Sequence, residues 1–240
     1  MTEETILIRD ALVVANSAEH PPAFTGWVTI EGDRISALGE GLPEGPPPAG
    51  TIDGHGYALM PGLVNAHARS HSSLTRGSAE GLRLEDWLAA IENEQARLDE
   101  EQAYWGALTT YAEAMLSGTT TLVDMCLFPE AARRGAEEIG IRAVIAPYTA
   151  DGKPITPGLE RTEALLKQGP AGDGRVMAWV GLHDLESCSD AQVEAGVALA
   201  AAFGSGLHLH CAESRQGAEA TRHRTGRSPV AHLEVLGALG

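Results

Sequence analysis

Residues 58–71, ALMPGLVNAHARSH, decide the fold. An apolar run ends at His67, and the chain becomes polar directly afterwards. A short apolar run that ends in polar residues recurs further along, in TTTLVDM (119–125), IRAVIAPYT (141–149), VMAWVGLH (176–183) and GLHLHCAE (206–213). Uniformly apolar strands are typical of a parallel sheet with helices on its faces.

The segments between these strands have the apolar spacing of helices. They are LEDWLAAIENEQARL (84–98), EEQAYWGALTTYAEAML (100–116, ended by Gly118), PEAARRGAEEIG (129–140), LERTEALLKQG (159–169) and DAQVEAGVALAAAFG (190–204). Repeated βα units with polar strand ends are typical of α/β barrels, and NAHARSH is not the Gly-rich loop of a doubly wound sheet. The sequence therefore predicts a TIM-type (β/α) barrel, with about five of its strands in these 240 residues.

The first part of the chain has a different rhythm. Short β-rich runs separated by turns fill residues 5–58, which predicts a small antiparallel β unit. We therefore expect an N-terminal β segment at residues 1–58 and the partial barrel at residues 59–240.

Composition limits the partners. A formal net charge of −16 argues against nucleic acids and anionic membranes, so we expect a small-molecule substrate or a protein partner. The acidic start MTEETILIRD does not resemble a signal peptide, and three dispersed cysteines form no disulfide framework. Both features favour a cytoplasmic protein.

HLHCAE, residues 208–213, is the most informative stretch after the opening one. Strand alternation places His208 and His210 on one face, and Glu213 follows in the next loop. This pattern suits a metal ligand beside a proton-transfer acid. A pair of hydrogen-bonded core histidines with a solvated glutamate is the alternative.

Several motifs in order resemble the amidohydrolase superfamily, in particular its deaminase and chlorohydrolase branch. They are RISALGEG, TIDGHGYALMPGLVNAHARSHSSLTRG, GTTTLVDM, GLH followed by SCSD, and HLHCAES. The resemblance implies a barrel of the metal-dependent hydrolase type with a small β-sandwich. It also implies one Zn²⁺ or Fe²⁺ that activates a water for attack on a C–N or C–Cl carbon.

The resemblance also assigns site residues. His67 and His210 match metal ligands, Glu213 matches the proton-shuttling glutamate, and His183 matches a substrate-contacting histidine.

Arg69 stands where the family has the second histidine of its HxH motif. Arginine only donates hydrogen bonds, and it repels a cation by about 4 kcal/mol per unit charge at ~4 Å. We therefore expect weak metal retention, and a buried Arg69 that turns to Asp184, Glu186 or Glu213. His71 could replace the ligand only on an extended chain, so a loop histidine is favoured.

The resemblance implies metal-dependent hydrolysis of a non-peptide C–N bond, such as deamination of an N-heterocycle, and the altered motif leads us to expect that it is impaired in this chain alone. A non-catalytic fold relative that binds a ligand or partner is the alternative. Because parallel strands with open edges invite association, we expect a homo-oligomer or a second chain that supplies the missing strands.

Overall fold

A computed structural model describes residues 5–151 and 156–239. The chain forms two compact units, Met1–Gly62 and Leu63–Gly240, which are described separately below. Within the described ranges, no helix is both long and apolar enough to cross a membrane.

The first unit is one five-stranded sheet in the order β3-β2-β1-β4, with β5 also paired to β1. Its strands are β1 (Thr5–Val13), β2 (Phe24–Glu31), β3 (Arg34–Glu40), β4 (Gly50–Asp53) and β5 (Ala58–Leu59). The predicted antiparallel pairing holds between β1 and β2 and between β2 and β3, whereas β4 and β5 both run parallel to β1. A second layer that would make the unit a sandwich is not formed by its described residues, so the β-sandwich stays a prediction.

The predicted strand ALMPGLVNAH is divided between the two units. Ala58 and Leu59 pair with β1, whereas β6 (Leu63–Ala68) starts the second unit. Pro61 lies in the interruption, and proline cannot donate a hydrogen bond to a neighbouring strand.

The second unit contains the other predicted strands. Four parallel strands follow the order β6-β7-β8-β9, with β7 at Thr119–Cys126, β8 at Arg142–Pro147 and β9 at Val176–Ala178. β10 (Val180–Gly181) pairs in parallel with β11 (Leu207–His208), so the predicted strand VMAWVGLH is broken at Trp179. These six strands form an open array in two sheets, and a closed barrel is not present in the described part of the chain.

Helices lie between and after these strands. They are α1 (Leu84–Gln95), α2 (Glu100–Leu116), α3 (Pro129–Ile139), α4 (Gly158–Gln168), α5 (Asp190–Phe203), α6 (Arg215–Thr225) and α7 (Pro229–Val235), and a 3-10 helix spans Ser70–Thr75. Asp99 caps α2 by accepting from the backbone N–H of Gln102, whose side chain in turn accepts from the N–H of Asp99. The five predicted helices are confirmed to within a few residues, whereas α6 and α7 lie outside the predictions.

The core of this unit lies between the sheet and its helices. Tyr111 of α2, Leu122 of β7, Ile145 of β8 and Leu165 of α4 are fully buried in one cluster. Burial of such side chains contributes ~1.5–3 kcal/mol each, which fixes the strands and therefore the positions of their ends.

Candidate functional site

The site forms where β6, β10 and β11 end. His67 lies at the end of β6, His183 follows β10, and His208 closes β11. Backbone hydrogen bonds hold the last two segments in register, from Leu182 N–H to His208 C=O (2.9 Å) and from His210 N–H to His183 C=O (2.8 Å). Parallel alignment thus gathers the predicted histidines at one edge.

The histidine rings contact one another. His67 Nδ1 lies 2.9 Å from His208 Nε2, and the His67 and His210 ring centroids are 4.7 Å apart. The His183 and His210 rings meet edge to face at 5.4 Å. The structure therefore brings together His67, His183 and His210, and it adds His208.

Arg69 points into this cluster. Its Nη2 lies 2.6 Å from His210 Nε2 and 3.2 Å from His183 Nε2. Because arginine only donates, both Nε2 atoms accept, and each ring carries its proton on Nδ1. The guanidinium carbon also lies 5.6 Å from the centre of the Tyr148 ring, within cation–π distance.

The hydrogen bonds of Arg69 described above go to imidazoles, whereas Asp184 and Glu213 act on it through their charges, so its expected pairing with a carboxylate stays a prediction. Asp184 itself accepts from His183 Nδ1 at 2.9 Å. Glu186 lies against Gly217 in the first turn of α6, where an added Cβ would come within 1.8 Å of its carboxylate.

Three of these rings, those of His67, His208 and His210, are disfavoured from taking up a proton. Burial, and then the charge of Arg69, lower the pKa of His67 to about 4 and that of His210 to about 3. The pKa of His208 is lowered by the same two causes. These rings are therefore neutral at pH 7, the state in which imidazole can bind a metal.

A buried carboxylate positions the chain that carries Arg69. Asp124 is fully buried, accepts from the Ser70 N–H at 2.9 Å, and accepts from the Tyr111 hydroxyl at 2.6 Å. Thr110 adds a hydrogen bond to the Ser70 carbonyl, so the turn after β6 is tied to both β7 and α2. Asp124 is recognisable in the sequence only as a polar residue near a strand end.

His71 has left the strand, as expected. It lies in the 3-10 helix, is 1% exposed, and neither of its ring nitrogens finds a partner among the described residues. Burial and the charge of Arg69 lower its pKa to about 3.

Glu213 acts on the cluster through its charge. It is exposed on the loop after β11, two residues before α6 begins at Arg215, and its charge acts on Arg69. The structure therefore leaves Glu213 accessible at the rim.

A cavity of about 550 Å³ opens beside Arg69. Trp87 and Ile91 of α1 line it, together with Arg76 and Glu80 from the loop before that helix. Its volume lies in the range of small-molecule sites.

The arrangement does not fit a resident metal ion while Arg69 is in place. Among residues 5–151 and 156–239, no three or more His, Cys, Asp or Glu side chains are grouped to hold a metal. The imidazoles are suitable ligands one by one, but the guanidinium takes the acceptor nitrogens of two of them.

The chain is similar to proteins of known family and structure. A model of the Amidohydrolase family matches residues 58–240. The 5-methylthioadenosine/S-adenosylhomocysteine deaminase of Caldanaerobacter subterraneus is 38% identical over 88% of this chain and 49% of its own length. The 5'-deoxyadenosine deaminase of Methanosarcina acetivorans is 32% identical over 98% of this chain and 55% of its own length.

Among solved structures, an adenosine deaminase from Xanthomonas campestris with bound zinc superimposes with a TM-score of 0.86. It is 25% identical, and the match covers 98% of this chain and 55% of that one. The chain thus spans about half the length of the relatives it matches.

Proposed function

This chain belongs to the amidohydrolase family, and we propose that it takes part in the hydrolytic deamination of an N-heterocycle or in hydrolysis of a related non-peptide C–N bond. One observation carries the proposal. Histidines from three separate strand ends, which the family match covers, meet around Arg69, and Arg69 also lines a cavity of small-molecule size.

The roles follow from position and chemistry. His183 is held by Asp184 and faces the cluster, which suits a hydrogen bond to the heterocycle. Glu213 is accessible at the rim and suits proton transfer between water and the leaving amine. His67 and His210 are the proposed metal ligands, for the Zn²⁺ or Fe²⁺ implied by the family.

We propose that Arg69 impairs hydrolysis by this chain, because its guanidinium donates a hydrogen bond to the His210 nitrogen that a metal would need. The same hydrogen bond favours a second candidate function, a non-catalytic amidohydrolase fold that binds a small molecule or a partner.

The proposal includes the wider architecture. We assign the strands of the second unit to an incomplete (β/α) barrel of the metal-dependent hydrolase type, and the first unit to a β-sandwich segment. A homo-oligomer or a complex with a second polypeptide is the proposed assembly, and the cytoplasm is the proposed location.

The test is release of ammonia from adenosine, 5'-deoxyadenosine, 5-methylthioadenosine and S-adenosylhomocysteine, with zinc supplied. We expect slow release by the wild-type chain, faster release by Arg69→His, and loss of release when Glu213→Gln is added. Glu219→Gln, an exposed glutamate on α6, is the matched control and should leave the rate unchanged. If no variant releases ammonia while the nucleosides still bind, the non-catalytic function is the better description.

A further inference from the structure

We infer that the Arg69 guanidinium takes the position of the cation at the centre of the histidine cluster, so that Arg69 itself excludes a transition metal. This goes beyond the proposed reaction, because it concerns the occupant of the cluster and can be measured without any substrate.

Most of the ring-nitrogen lone pairs of the four histidines already accept hydrogen bonds. A neutral imidazole has one ring nitrogen with a lone pair, and a metal ligand must offer that lone pair. Arg69 uses those of His210 and His183, at 2.6 Å and 3.2 Å. The 2.9 Å contact between His67 and His208 uses one more.

Four rings thus keep one free lone pair between them. A catalytic zinc site usually takes three protein ligands. A metal could enter only if Arg69 withdrew from both His183 and His210.

Arg69 is also held from its other sides. The Tyr148 ring packs under the guanidinium, and His183 connects it to Asp184. The charges of Glu213 and Asp124 further favour the cation. These carboxylates favour the charged guanidinium against the cost of its burial, which lowers the pKa of Arg69. A divalent ion would add two positive charges beside it.

Affinities of the folded variants for Zn²⁺ and Co²⁺ test the inference, measured by competition with a chromophoric chelator. Arg69→His removes the guanidinium and adds an imidazole, so we expect it to bind both metals at least about tenfold more tightly than wild type. Arg69→Lys keeps the charge and should remain as weak as wild type. Arg142→His makes the same substitution at the exposed start of β8 and should also change nothing.

Wild-type protein that keeps one equivalent of zinc through dialysis against a chelator would overturn the inference. Equal affinities of wild type and Arg69→His would do the same. If Arg69→His does not fold, as judged by near-ultraviolet circular dichroism, Arg69→Ala replaces it with the same expected direction. Tighter metal binding by the variants without ammonia release would refute only the proposed function.

Discussion

Replacing Tyr111 with phenylalanine should measure how much its hydrogen bond to Asp124, which positions the turn after β6, contributes to the free energy of unfolding. Tyr111 is fully buried, and its hydroxyl donates to the buried carboxylate of Asp124 at 2.6 Å. A hydrogen bond to a charged acceptor contributes ~1.5–3 kcal/mol, and no water can replace the lost donor at a buried site. We expect Tyr111→Phe to lower the free energy of unfolding by about 2 kcal/mol, which lowers Tm by roughly 4–8 °C in a domain of this size.

Tyr104→Phe is the control, measured alongside by urea denaturation and by calorimetry. Tyr104 lies on the same helix and also donates to a carboxylate, that of Glu138, but the Glu138 side chain is 52% exposed. Because water can replace that donor, the control should cost less than about 1 kcal/mol. Equal losses in the two variants would refute the argument that buried Asp124 depends on Tyr111.

Two further predictions concern Asp184 and Gly181. Burial alone would raise the pKa of Asp184, but hydrogen bonds from His183 and Ser187 hold it well below its ordinary value. Since the folded pKa is the lower one, this stabilisation is complete above about pH 4 and is lost as the pH falls through the folded pKa. Asp184→Asn should therefore lower the urea midpoint at pH 7, with the gap to wild type closing below pH 4; a gap independent of pH would contradict this. A Cβ on Gly181 would lie 2.3 Å from the Pro147 carbonyl oxygen. Gly181→Ala should therefore lower the free energy of unfolding by ~1–3 kcal/mol, measured by thermal denaturation. An unchanged Tm would show that the backbone moves to accept the methyl group.

The regular part of the fold could be predicted because local signals agree with the packing. α2 is predicted at residues 100–116 and observed at Glu100–Leu116, since Asp99 caps its start and Gly118 follows its end. α6 escapes prediction because its sequence RQGAEATRHRT has almost no apolar stripe, and its buried positions are Gly217 and Thr221. The sequence signals for α6 and α7 are their capping serines, Ser214 and Ser228. Each accepts a hydrogen bond from the backbone N–H three residues further on.

The convergence of three histidines was predictable from the sequence, but their hydrogen bonds were not, and the roles assigned to them stay predictions. Parallel strands end at one edge, so the convergence of His67, His183 and His210 follows from topology. The partner of Arg69 does not follow, because sequence gives charge and order but not the sub-ångström distances that decide between an imidazole and a carboxylate. For the same reason, the contact between His67 and His208 could not be read from strand alternation.

The position of β6 has a consequence for how the protein opens. β6 comes first in its sheet order, its residues 63–66 are exposed, and its register with β7 is irregular at two places. β7 and β8, in contrast, pair without a break over Thr121–Cys126 and are largely buried. Amide protons of β6 should therefore exchange with solvent through local openings far less costly than global unfolding. Each such opening would separate His67 from the cluster while His183, His208 and His210 keep their positions. The cluster would therefore lose one of its four histidines under conditions in which the rest of the chain stays folded.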